Sequence, residues 1–147
     1  MPRVATGETI ASAVITGDRG CWTESGVDIS ATALEGGWQL EGRGNYVLHA
    51  QNADVLIVIA NTESGLAAYA VDPSDDAVQI EALPTLDRTL RIASVRFSGT
   101  SAKQINATRP VWEAVSQALN LALVALAGEQ AGGAKKVLDF TVEYAKT

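Results

Sequence analysis

Val55-Leu56-Ile57-Val58-Ile59-Ala60, then Asn61-Thr62-Glu63-Ser64-Gly65, then Leu66-Ala67-Ala68-Tyr69-Ala70-Val71: the fold is decided on this stretch. Six apolar residues in a row, four of them β-branched and stopped by turn formers, read as a strand covered on both faces. Thr62-Glu63-Ser64-Gly65 turns it back into a second strand, Leu66 to Val71, and the pair is a hairpin. The same signals recur on both sides. Upstream, Asp28 to Leu34 and Trp38 to Arg43 flank a turn at Glu35-Gly36-Gly37, with Trp38 and Leu40 alternating against Gln39 and Glu41. Tyr46-Val47-Leu48 is a short extended piece, and Glu8 to Thr16 reads as a first strand closed by Gly17-Asp18-Arg19-Gly20. Downstream, Asp72-Pro73-Ser74-Asp75-Asp76 is a loop by composition. Val78 to Leu83 and Leu90 to Phe97 complete the set, with Arg91 and Arg96 expected to face water. Seven or eight short antiparallel strands in about 90 residues predict a barrel or sandwich.

Near Gly99 the chain changes character. Pro110 suits a first helical position, with Thr108 or Asn106 as cap. Val111, Val115, Leu119, Ala122 and Leu126 keep helical spacing, and Val137, Leu138, Thr141, Val142 and Ala145 continue it. Leu119 to Ala127 is apolar nearly all round, so the helix is expected to be enclosed by other helices. Gly128, Gly132 and Gly133 each cost about 1 kcal/mol against alanine, and close packing is the expected compensation. At 1.5 Å per residue the helix would run about 50 Å, far beyond a small barrel. The fold class is therefore α+β: a β-domain over residues 1–105 and one long helix over 106–147. Either the protein oligomerises through that helix or the sequence is part of something larger.

Charge and composition exclude several functions. A net charge of −6 with scattered Lys and Arg offers no basic stripe for nucleic acid. One cysteine, Cys21, and one histidine, His49, are too few for a disulfide or a His/Cys zinc site. The opening residues lack the form of a signal peptide, and no strictly apolar run reaches the roughly 18 residues of a membrane span. A cytoplasmic location is expected, where Asn106-Ala107-Thr108 would not serve as a glycosylation acceptor.

Three segments carry a family resemblance. Gly128 to Thr147, Gly-Glu-Gln-Ala-Gly-Gly-Ala-Lys-Lys-Val-Leu-Asp-Phe-Thr-Val-Glu-Tyr-Ala-Lys-Thr, resembles the helix that opens the C-terminal domain of acyl-CoA dehydrogenases. Trp38-Gln39-Leu40-Glu41-Gly42, with Tyr46-Val47-Leu48 and Ala53-Asp54, is similar to that family's middle-domain hairpin and flavin-side strand. Leu83-Pro84-Thr85-Leu86-Asp87 and Val95-Arg96-Phe97 resemble the end of the same domain. The resemblance implies a middle β-barrel over the flavin of FAD, helical domains on either side, and α,β-dehydrogenation of an acyl-CoA thioester. In that chemistry a carboxylate removes the α-proton, flavin accepts the β-hydride, and an electron-transfer flavoprotein reoxidises the cofactor.

Carried over by position, Ile15 and Thr16 match the strand end that meets the flavin, and Tyr46, Val47 and Leu48 match the segment facing flavin N5. The departures are specific. Thr16-Gly17-Asp18 stands where the family usually has Thr-Glu-Pro, and the Gly-Ser-Asp that often follows has no counterpart. Leu48 replaces a hydroxyl residue, and Asn120 and Leu121 stand where an Asp or Arg often contributes to substrate binding. The family's catalytic Glu has no match in this sequence, so the expectation is a dehydrogenase fragment that is inactive alone. The alternatives are a noncatalytic partner subunit of a dehydrogenase complex, or a small barrel for an apolar ligand. His49, Asp75-Asp76, Glu35 and Glu41 read as solvated positions, Gly42-Arg43-Gly44 is too short for a phosphate loop, and Trp22, Trp38 and Trp112 read as core or interface anchors.

Overall fold

The computed structural model describes residues 2–146. Two compact units divide the chain, residues 1–108 and 109–147. In the first, a single turn α1 (Pro2–Ala5) precedes seven strands: β1 (Ala11–Val14), β2 (Ser30–Leu34), β3 (Gly37–Leu48), β4 (Val55–Thr62), β5 (Gly65–Val71), β6 (Val78–Ala82) and β7 (Ile92–Ile105). The α+β class and the strand-then-helix order match the sequence reading.

The strands close into a ring. β2 pairs with β3, β3 with β7, β7 with β5 and β5 with β4, all antiparallel, and β4 returns to β2 through Ser30 opposite Asn61. Closure leaves these five strands few open edges. β6 extends the sheet on β7, Val78 opposite Phe97, and β1 lies parallel to β4 with Ala11 opposite Val55. Two pairings are thus parallel, β1–β4 and β2–β4, where an all-antiparallel set was expected. Pairing between strands tens of residues apart has no local signal, whereas the two-residue hairpin loops at 35–36 and 63–64 do.

Three boundaries also move. β1 keeps only four of the nine residues expected to be extended. The pieces Trp38–Arg43 and Tyr46–Leu48 are one strand, β3, whose register slips between Gly44 and Val47. β7 does not stop at Gly99 but runs on to Ile105. Thr100 and Ser98 face Leu40 and Glu41, so Gly99 is an extra residue between them, a β-bulge with φ of 71°. The Glu41 carboxylate accepts from the Gly99 amide at 2.8 Å, and the Gln39 side-chain amide donates to the Gly99 carbonyl at 3.1 Å. Arg91 and Arg96 are exposed, as expected.

The ring encloses a filled interior: Leu40, Leu56, Val58, Tyr69, Val71, Val95 and Phe97 are fully buried, and Val14 and Ile29 join them. Along β4, Leu56, Val58, Ile59 and Ala60 are buried, and Val55 and Ile57 are half-covered, so the strand is enclosed on both sides at its far end. Tyr69 stacks at a tilt on Trp38, ring centroids 5.4 Å apart. Its hydroxyl is buried with no hydrogen-bond partner, and burial pushes the phenol pKa above its ordinary 10.0. An unpaired buried hydroxyl costs free energy that phenylalanine does not. Tyr69→Phe is expected to be neutral or to stabilise the chain by up to about 1 kcal/mol in urea unfolding. The sign with pH follows from the raised folded pKa. Above pH 10 the unfolded phenol ionises first, so the wild type should lose stability relative to Tyr69→Phe as pH rises. A Tyr69→Phe variant less stable than wild type at neutral pH would mean the hydroxyl has a partner.

The second unit is one helix, α2 (Val111–Tyr144), 34 residues long, about 50 Å at 1.5 Å per residue. Pro110 does not open it but stands outside as the N-cap residue with ψ of 131°, and its carbonyl accepts from the amides of Glu113 and Ala114. Neither Thr108 nor Asn106 caps it. Leu121, Leu123, Val124, Val137, Leu138 and Phe140 are exposed, and Gly128, Gly132 and Gly133 have open space where a Cβ would stand. By length and composition alone α2 is long and apolar enough to cross a membrane, a test that the core helix of a soluble bundle also passes. No strictly apolar run in α2 is that long, because Glu113, Ser116, Gln117 and Asn120 interrupt it before Leu121, and Glu129 and Gln130 follow Gly128.

Candidate functional site

The two segments that the sequence singled out, Ile15–Thr16 and Tyr46–Leu48, meet in space. Thr16 Oγ1 donates to the Asn45 carbonyl at 2.9 Å, and the Asn45 amide donates back to the Thr16 carbonyl at 2.8 Å. Further along, Ser12 Oγ donates to the Leu48 carbonyl at 2.6 Å. The end of β1 is therefore fastened along the end of β3. Side chains alternate sides along extended backbone, and here the alternation sorts the candidates. Thr16 and Val47 point inward and are each 2 % exposed. Ile15 is half-buried, and Tyr46 and Leu48 are each 48 % exposed.

Tyr46 sits in the register slip of β3 with φ of 58°, left-handed backbone that a bulky L-residue seldom adopts. His49 follows with φ of 55°, where its amide donates to the Arg91 carbonyl at 2.7 Å. Both lie at the strand end, where bulges commonly re-aim side chains. The turn after Thr16 is tied in as well. Asn45 Nδ2 donates to Asp18 Oδ1 at 2.6 Å, Arg43 lies 3.6 Å from the same oxygen, and the Asp18 amide donates to Asp28 Oδ2 at 3.1 Å. Gly17 must be glycine here, because a Cβ would fall on the Asp28 carboxylate.

A groove of about 660 Å³ begins beside Tyr46, lined by Arg43, Asn45, Tyr46 and Ser94 from the strands and by Thr85 and Asp87 from the β6–β7 loop. It does not reach Ile15, Thr16 or Leu48. Within it Asp87 accepts from the Thr89 hydroxyl at 2.6 Å and the Thr89 amide at 2.8 Å, and these bonds hold its carboxyl below the ordinary carboxylate range. Among the described residues no three His, Cys, Asp or Glu side chains gather as metal ligands.

Sequence reasoning missed Asn45, Asp18 and Gly20. The available signal was local: Gly17-Asp18-Arg19-Gly20 is a turn, and Gly44-Asn45 before Tyr46 is a composition that favours irregular backbone. Nothing local pairs the two stretches.

No family model matches the sequence, and no curated protein matches it. Solved structures do match by shape. A glutaryl-CoA dehydrogenase from Mycobacterium smegmatis in complex with FADH2 superposes with a TM-score of 0.64 at 20% identity, covering 70% of this chain and 28% of its own. A glutaryl-coenzyme A dehydrogenase in its glutaryl-CoA complex gives 0.66 at 19%, covering 72% and 29%. The ChsE4-ChsE5 complex from Mycobacterium tuberculosis gives 0.60 at 24%, covering 72% and 28%. The chain thus spans under a third of the length of these proteins. Over about 70% of its length, it has the fold that acyl-CoA dehydrogenases share.

Proposed function

We propose that this chain supplies the flavin-facing β-domain of an FAD-dependent, acyl-CoA dehydrogenase-like oxidoreductase. The observation that carries the reading is the junction of Ile15–Thr16 with Tyr46–Leu48. Two stretches some thirty residues apart are fastened together beside the positions that match the family's flavin contacts, Thr16 to Asn45 and Leu48 to Ser12. Their outward residues are apolar or aromatic, with Ile15 half-buried and Tyr46 and Leu48 each 48 % exposed. Side chains of this kind suit contact with a flat heteroaromatic ring such as the flavin isoalloxazine. FAD, when bound, supplies the acceptor for the hydrogen leaving the substrate's β-carbon. The chain's own part is to bind and orient: Tyr46 and Leu48 offer ring contact, and buried Val47 and Thr16 hold the backbone beneath them.

The substrate class in this reading is an acyl-CoA thioester and the electron partner an electron-transfer flavoprotein, with α2 enclosed by further helices. The apolar-ligand barrel is less well supported, because the ring interior is filled by side chains such as Phe97, Tyr69 and Leu56. A noncatalytic partner subunit is favoured by one observation. The Thr16 hydroxyl is already bonded to Asn45, and Leu48 offers no hydroxyl, so two polar contacts to a flavin are missing. Each such bond is typically worth about 0.5–1.5 kcal/mol, which weakens FAD binding without abolishing it.

Titration of the folded chain with FAD, followed by flavin fluorescence and absorbance, tests the reading. Saturable quenching that Tyr46→Ala weakens is expected. A folded chain that leaves the flavin spectrum untouched at every concentration would remove the flavin-facing assignment.

A further inference from the structure

Tyr46 keeps a left-handed backbone although no glycine or asparagine occupies the position, so its surroundings must over-determine it. The peptide before it is fixed from another segment: both main-chain polar groups of Asn45 are bonded to Thr16. The residue after it, Val47, is buried and lies opposite Ala93 in the sheet. Beneath the ring lies Gly20, with φ of 62°, where a Cβ would come within 2.8 Å of Tyr46 Cε2. That turn is held in turn by the Gly20 amide donating to the Gly17 carbonyl at 3.0 Å and by Asp18, which accepts from Asn45 Nδ2.

We infer that Thr16 and Asn45 are a positioning pair that fixes how Tyr46 is presented, with Gly20 as the seat of its ring. The inference rests on the flavin reading above and deepens it: Thr16 serves the site through Asn45, not by touching the cofactor. Thr16 as a whole is 2 % exposed and its hydroxyl donates to Asn45, so it has no face toward a bound ring.

Three variants of the full chain test this: Thr16→Val, which keeps shape and removes the donor, Thr16→Ser, which restores it, and Gly20→Ala. Amide hydrogen exchange at residues 45–47 and the FAD dissociation constant are the readouts. Thr16→Val is expected to speed exchange there and to raise the FAD Kd about fivefold to tenfold, the scale of one neutral hydrogen bond. Thr16→Ser should return both values to within about twofold of wild type. Gly20→Ala, strained at φ of 62° and crowding Tyr46 Cε2, lies outside the Thr16–Asn45 bonds and should weaken FAD by displacing the ring. It also covers the case in which Thr16→Val loses its fold. Wild-type exchange and Kd in Thr16→Val, equal damage in Thr16→Ser and Thr16→Val, or an unchanged Kd in Gly20→Ala would overturn the inference. A wild-type chain that ignores FAD while Thr16→Val still loosens residues 45–47 would sink the flavin reading and leave the pair standing.

Discussion

Gly44→Ala is expected to destabilise the β-unit by about 2–3 kcal/mol in urea unfolding, the upper range for overpacking a filled core. Gly44 lies in β3 opposite Val95, where the end of β1 passes over the strand. A Cβ there would overlap the Val14 Cγ1 methyl, and it would also sit 3.6 Å from Ile29 Cδ1 and the Thr16 carbonyl. Val14 is fully buried and cannot swing outward. Its partner residues in the core leave no room either, because close-packed interiors respond to a single added methyl. Val14→Ala alone should also cost about 2 kcal/mol, from lost burial and the cavity left behind. In combination, the methyl added at position 44 takes nearly the place of the Cγ1 methyl that Val14→Ala removes, and only the Cγ2 volume stays unfilled. The double variant is therefore expected to be more stable than the sum of the singles by at least about 1 kcal/mol. Strict additivity would show that β1 does not rest on Gly44.

That contact also marks the limit of what the sequence makes legible. The β4–β5 hairpin was readable because its signals are local: an unbroken apolar run, a four-residue turn, and a second apolar run. The same holds for the β2–β3 turn, where Gly36 takes φ of 91°. Gly99 failed for the opposite reason. Ser98-Gly99-Thr100-Ser101 after Phe97 carries the composition of a strand end, yet side chains from β3 hold the Gly99 peptide and the strand continues to Ile105. A bulge of this kind is stabilised by residues nearly sixty positions away, and no local window contains them. The parallel docking of β1 on β4 is nonlocal in the same sense.

The candidate site divides similarly. Periodicity marked Tyr46-Val47-Leu48 as extended but gave it no function; the resemblance alone joined it to Ile15–Thr16. The structure adds the physical link, the paired bonds between Thr16 and Asn45. The hydroxyl donates to the Asn45 carbonyl, and the Asn45 amide donates back to the Thr16 carbonyl. A buried donor and acceptor satisfied by one another are the low-cost solution.

The chain by itself, even with FAD added, is expected to show no acyl-CoA oxidation with an artificial electron acceptor. Removing an α-proton near neutral pH needs a base whose pKa is raised toward the working pH and which reaches the substrate carbon. The carboxylates near the site do not meet that need. Asp18 Oδ1 is engaged by Asn45 Nδ2 at 2.6 Å and by Arg43 at 3.6 Å, so its carboxylate is tied to the turn. Asp54 accepts from the Ile10 amide at 2.8 Å and anchors the start of β1. Asp87, in the groove beside Tyr46, has its carboxyl lowered by the Thr89 bonds, which makes it a weaker base. Burial is what raises carboxylates in active sites, and Asp18, Asp54 and Asp87 are all exposed. None of these three carboxylates is thus set up as the base that the proposed reaction requires. Turnover by the purified chain would contradict this directly. Loss of such turnover in Asp87→Asn, with flavin binding retained, would then identify the groove carboxylate as the base, working from a site that the resemblance to acyl-CoA dehydrogenases does not use.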